Sequence, residues 1–112
     1  MAIKSNVVNN VKVLEISGSF DIYTASSVRE WLDQKASEIP ANIVIDLSDV
    51  HFIDSTALAI LIKGMKQARE QDGDICLCGL QQPVRMVLEL TRLDKVFEIY
   101  SDQNEAILGL KI

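Results

Sequence analysis

The run Asp54-Ser55-Thr56 sets a carboxylate and two hydroxyls directly ahead of the helix-patterned apolar residues Leu58, Leu61 and Ile62. Hydrolytic chemistry at Ser55 would need a base in contact and an oxyanion hole. His51 is the only histidine and no Gly-x-Ser-x-Gly elbow is present, so catalysis is not expected. Phosphate acceptance fits better. The leading N–H groups of a helix lack intrahelical partners and carry partial positive charge, so a phosphate on Ser55 can be held there without melting the fold. The same three residue types are also preferred N-caps, and taken alone they read first as a plain helix start; the rest of the chain has to supply the case for a switch.

Cys76 and Cys78 are the only cysteines, and their spacing within Ile75-Cys76-Leu77-Cys78 puts both on one face of a strand. They read as small core residues. A Cys-x-Cys metal pair would need further ligands that a chain with one histidine does not offer, so neither metal nor cofactor is expected. Unpaired core cysteines fit a reducing cytoplasm.

The chain has 112 residues, 11 basic and 16 acidic, with a net charge of -5, so one domain over residues 1–112 is expected. With no basic cluster or aromatic-interleaved basic stripe, nucleic acid is not an expected partner. Met1 to Asn6 carries no long apolar stretch, and the densest apolar run, Ala57 to Ile62, is short. Neither export nor membrane insertion is expected.

The elements that must position Ser55 follow from periodicity. Ile3 to Val8 and Val11 to Ile16 read as strands joined through Asn9-Asn10, a hairpin. Val28, Trp31, Leu32, Lys35, Ala36 and Ile39 mark the stripe of a first helix, with Thr24, Ser26 and Ser27 as candidate caps and Ser27 with Glu30 as a capping box; Pro40 is expected to help close it. Ile43-Val44-Ile45 and Leu47 form a central strand, either covered on both faces or lying next to a closely packed helix. A second helix from Ser55 buries Leu58, Leu61, Ile62 and Met65 and stops at Gly73, slightly weakened by Gly64. Asp74 to Cys78 is a further strand. Pro83 opens a third helix with Val84, Val87, Leu88 and Thr91 as its stripe, Val96 to Ile99 is a short edge strand, and Ser101 to Leu110 is a closing helix.

This order implies an α/β fold, a mixed sheet with an opening hairpin and about four helices packed on it. Function then collects beyond strand C-terminal ends, at the loops Gly18 to Tyr23 and Asp46 to Ser55; if those two strands are parallel neighbours, Asp21, Asp54 and Ser55 share one edge. Trp31 is assigned to the core and Asp46 to a turn. Ile60 falls off the buried stripe and is a candidate exposed contact.

Gly18-Ser19-Phe20-Asp21 followed by Thr24-Ala25, then Ile45-Asp46-Leu47-Ser48 and Phe52-Ile53-Asp54-Ser55-Thr56-Ala57-Leu58, resembles the STAS-domain anti-sigma-factor antagonists, and the likeness continues through Gly79-Leu80 and the Pro83 helix. Alanine at position 57, where the family most often has glycine, is the one visible departure. The resemblance implies a non-enzymatic partner-switching protein. Ser55 would be phosphorylated by a serine-protein kinase that is also an anti-sigma factor and restored by a metal-dependent serine phosphatase, with Asp21, Asp54, Thr56 and Ile60 on the kinase-binding face. A STAS scaffold, or a regulatory subunit of a membrane transporter, is the alternative job for the same fold.

Overall fold

The computed structural model of the chain describes residues 2–110; Met1, Lys111 and Ile112, part of the expected domain, lie outside the described residues. Strand β1 (Ala2–Val8) pairs antiparallel with β2 (Val11–Phe20) across Asn9 and Asn10, whose φ values are 53° and 67°. Asparagine tolerates this left-handed region, and a turn with both central residues there matches the twist of the flanking strands.

Helix α1 (Ser26–Lys35), β3 (Asn42–Ile53), α2 (Ser55–Glu70), β4 (Asp74–Cys78), α3 (Gln82–Leu90), β5 (Glu98–Tyr100) and α4 (Gln103–Leu110) follow. The sheet order is β1-β2-β3-β4-β5, and every pair after the hairpin is parallel. The α/β mixed sheet and its four helices are as expected. A 3-10 turn at Leu93–Lys95, with Arg92 left-handed before it, has no counterpart in the sequence reading.

The two faces of the sheet are covered unequally. Leu14, Ile16 and Phe20 of β2, Ile43, Ile45 and Leu47 of β3, and Ile75 and Leu77 of β4 pack against α1, α2 and α3. On the other face Val11, Val13, Val44, Cys76 and Cys78 meet Ala106 and Ile107 of α4. β3 is buried from both sides, which is why its pattern runs apolar without alternation.

Several local expectations change. The segments read as loops, Gly18 to Phe20 and Asp46 to Ile53, are strand, because β2 and β3 stay paired to Phe20↔Ile53. Two register shifts, at Glu15/Ser17 and Gly18/Ser19, put extra residues on β3 and carry Asp54 alongside Asp21. The capping box of α1 does not form: its N-cap position is Ala25 in a right-handed conformation with no side-chain cap, because Thr24 is engaged in the preceding turn. The helix ends at Lys35, leaving Ile39 exposed and Pro40 in the connection to β3 rather than at the helix end.

At the end of α2 the left-handed residue is Asp72 (φ 58°), and the Gly73 N–H reaches back 3.0 Å to the Ala68 carbonyl. Glycine at 73 answers a different need: a Cβ there would run into the Ala41 carbonyl. Gly64 likewise lets two elements close up, since a Cβ would stand 3.1 Å from Leu32 Cδ1 of α1 and 3.2 Å from Ile75 Cδ1. Ile62 is half-buried rather than buried, and Thr91 is exposed, its hydroxyl donating back to the Val87 carbonyl. The edge strand begins at Glu98, later than Val96.

Candidate functional site

Ser55 is the first residue of α2 and is exposed, at the C-terminal end of β3. Asp54 ahead of it has extended backbone, and its carboxylate oxygens do different work. Oδ1 accepts from the Ala57 N–H at 2.9 Å, satisfying one of the orphan donors of the first turn. Oδ2 accepts from the Ile22 N–H at 2.9 Å, tying the β2–α1 connection to the start of α2. The Asp54 N–H also donates to the Phe20 carbonyl at 3.3 Å, so β2 and β3 end together.

Asp21 is half-buried and organises its own turn. Its Oδ1 accepts from the Tyr23 N–H at 3.0 Å, while its N–H donates to Thr24 Oγ1, whose hydroxyl donates to the Ser19 carbonyl at 2.7 Å. This mutual bonding holds Ile22 and Tyr23 outward; Tyr23 is 91% exposed and Ile22 62%. Phe52, half-exposed near the end of β3, adds a third apolar group at this end of the sheet.

Asp21, Asp54 and Ser55 are thus brought to one edge. Thr56 and Ile60 are half-buried and line a groove between α1 and α2 whose volume is about 390 Å³. Ile60 also packs against the core, so it is less free than its position off the stripe implies. Arg29 and Asp33 of α1 and Lys63 of α2 share this groove, and sequence reasoning missed all three. Their signal was present as helical spacing: Arg29 and Asp33 are four apart, as are Ser55, Ala59 and Lys63, so each set lies along one face.

The other candidates fall away from this edge. His51 Nε2 lies 3.2 Å from Ser19 Oγ, and no hydrogen bond joins it to Ser55 among the described residues. Cys76 and Cys78 are fully buried beneath α4, where burial first and neighbouring carboxylates second push both thiols up to about 12. They are core residues, as expected. Trp31 packs against the core, its indole N–H buried without a partner. Among the described residues no group of three metal-ligating side chains converges, and no helix is long and apolar enough to cross a membrane.

The chain matches the family model of the STAS domain over residues 2–106. It is similar to the anti-sigma-F factor antagonist RsfB of Mycobacterium tuberculosis, 31% identical over 92% of this chain and 84% of that protein. The anti-sigma F factor antagonist of Paenibacillus polymyxa is 26% identical over 91% of this chain and 88% of its own length. Among solved structures, an anti-sigma factor antagonist from Mycobacterium paratuberculosis superposes with a TM-score of 0.89 at 26% identity, covering 99% of this chain and 94% of that one.

Proposed function

This chain belongs to the STAS domain family, and we propose on that footing that it is an anti-sigma-factor antagonist switched by phosphorylation of Ser55. Unphosphorylated, the edge formed by the start of α2 and the β2–α1 turn docks on a serine kinase that doubles as an anti-sigma factor, which then releases its target. Asp21, Asp54, Thr56 and Ile60 belong to this face, and a metal-dependent serine phosphatase resets it. The chain itself transfers no phosphate; the kinase supplies the nucleotide.

One observation carries the reading. Ser55 stands exposed at the first position of a helix whose cap is already made by Asp54, and the first turn of α2 contains no acidic residue. Its hydroxyl makes no hydrogen bond among the described residues, so no recorded side-chain contact has to break when it is modified. A phosphate adds roughly -1.5 to -2 charges. Close to the Asp54 carboxylate, that charge repels an acidic partner surface while the helix N-terminus tolerates it. The switch then acts through the interface and requires no refolding.

The test compares the wild-type chain, Ser55→Ala and Ser55→Asp for affinity toward the kinase co-purified with this protein, alongside peptide mass spectrometry of the native protein. The proposal expects phosphate on Ser55, retained binding by Ser55→Ala and weakened binding by Ser55→Asp. Equal affinities for the two variants, with no phosphate on Ser55, would sink it.

A further inference from the structure

The groove between α1 and α2 has features that a phosphoacceptor alone does not require. Its walls are apolar where the helices face each other, through Leu32 on one side and Ala59 and Ile60 on the other. At its floor Gly64 and Leu32 close the gap between the helices. Its volume of about 390 Å³ falls in the range of small-molecule pockets.

Charge selects the occupant. Arg29 and Lys63 border the groove, and among the described residues neither makes an ion pair or a side-chain hydrogen bond. Asp33 is the one acidic side chain on the lining, so this groove carries excess positive charge in a chain whose net charge is -5. α1 and α2 both return from the C-terminal end of one parallel strand to the start of the next, so their N-termini lie at the same end of the groove. Both helix dipoles therefore add positive potential at the end where Ser55 lies, which reaches Arg29 in the first turn of α1; Lys63, about two turns along α2, acts through its own charge alone. Past the first turn of α2 the walls are helix faces whose backbone groups are already bonded internally, so along Leu32, Ala59 and Ile60 a peptide main chain finds nothing to pair with. These features favour a compact ligand with its own charge over an extended segment of protein.

We propose that this groove binds a small anionic amphiphile, a carboxylate on an apolar body sized to the groove. The apolar body lies against Leu32, Ala59 and Ile60 while the carboxylate is met by Arg29 and Lys63. The site goes beyond the phosphorylation switch and stands without it. One consequence rests on that switch: an occupant covering Ser55 and Thr56 would slow phosphorylation, coupling the output to the ligand.

The test titrates isotope-labelled protein with octanoate and follows backbone amide shifts by NMR, with 1-octanol as the uncharged control. Saturable shifts confined to α1 and residues 55–64 of α2 are expected with octanoate, and binding at least tenfold weaker with 1-octanol. The doubly substituted Arg29→Gln, Lys63→Gln protein should lose octanoate affinity at least tenfold. Ala59→Phe, which fills the groove from an exposed position without altering charge, should abolish binding; the spectra themselves report whether each variant is folded. Absence of saturable shifts, shifts centred elsewhere, equal affinity for octanoate and 1-octanol, or unchanged affinity in the double variant would each overturn the proposal. No kinase enters the experiment, so its failure leaves the phosphorylation reading standing, and failure of that reading leaves the site.

Discussion

Helices α2 and α4 begin with the same device and end up with opposite chemistry. Asp54 accepts from the N–H three residues on, at Ala57, and Asp102 does the same for Glu105, both at 2.9 Å. At α4 the surrounding groups are then used up. Glu105 places a second carboxylate in the first turn, and Gln103 donates to Glu15 at 2.7 Å and to Asp46 at 2.6 Å. The helix lies over Cys76 and Cys78 and buries them. At α2 the first turn has no acid, the residue after the cap is an exposed serine, and the second oxygen of Asp54 reaches across to another element. A cap makes a helix in both cases; only at α2 does it leave donors, dipole and a hydroxyl unanswered, which is what the proposed switch uses.

The largest contrast is between the thiols beneath α4 and the exposed hydroxyl at the start of α2. Burial raises both thiols from 9.0 to about 12, and each unit is tenfold in ionisation, so their thiolate population in the folded protein falls about a thousandfold. Modification by a thiol reagent should therefore track unfolding, whereas a fast phase of native-state labelling would contradict the burial. The sign for stability follows from linkage. Above pH 9.0 the unfolded chain releases thiol protons that the folded chain retains, so stability is intact below pH 9.0 and declines between 9.0 and about 12. Replacing both cysteines by alanine should flatten that alkaline limb in urea titrations across pH.

The next effect is at the exposed hydroxyl. Phosphorylation of Ser55 should lower kinase affinity by about a hundredfold, or about 2.7 kcal/mol, with Ser55→Asp recovering only part of that because it carries less charge. Isothermal titration of the three forms measures the series. A loss of the same size in Ser55→Ala would assign the effect to the hydroxyl contact rather than to charge.

Cap removal separates the two helix starts directly. Asp102→Ala should cost about 1 kcal/mol, the ordinary value of a capping bond. Asp54→Ala removes the cap and the bond to the Ile22 N–H together, so about 2 kcal/mol is expected. Urea denaturation of the two variants decides it. Equal costs would mean that the tie between α2 and the β2–α1 turn contributes nothing, and the comparison would reduce to one of exposure.

The sequence carried the outline of this arrangement and left out its joints. Element order, the Asn9-Asn10 hairpin, the buried β3 run and the Asp54-Ser55 helix start were legible because each rests on local chemistry or on a period. The continuation of β2 and β3 into the expected loops was hidden, because polar Ser17, Ser19 and Asp49 are held in place by cross-strand pairing with a shifted register. The second bond of Asp54 depends on that same register and could not be read from residue types. The groove cations were visible only as helical spacing, without a partner face to give the spacing meaning until α1 and α2 were packed.

The smallest expected effect sharpens the comparison from a third helix start. Ser27 and Glu30 have the spacing of a capping box, yet α1 has Ala25 at its N-cap position and no side-chain cap, since the helix begins at Ser26 and Thr24 is spent on Asp21 and Ser19. A serine already inside the first turn lacks the extended N-cap backbone that aims a hydroxyl at the N–H groups two or three residues on, and alanine is the better helix former there. Ser27→Ala should therefore change unfolding free energy by no more than about 0.5 kcal/mol in either direction. A cost near that of Asp102→Ala, read from the same urea midpoints, would mean that α1 is capped in solution. Side-chain capping would then be common to all three helix starts, and the distinction of α2 would rest on its exposed serine and unanswered first turn alone.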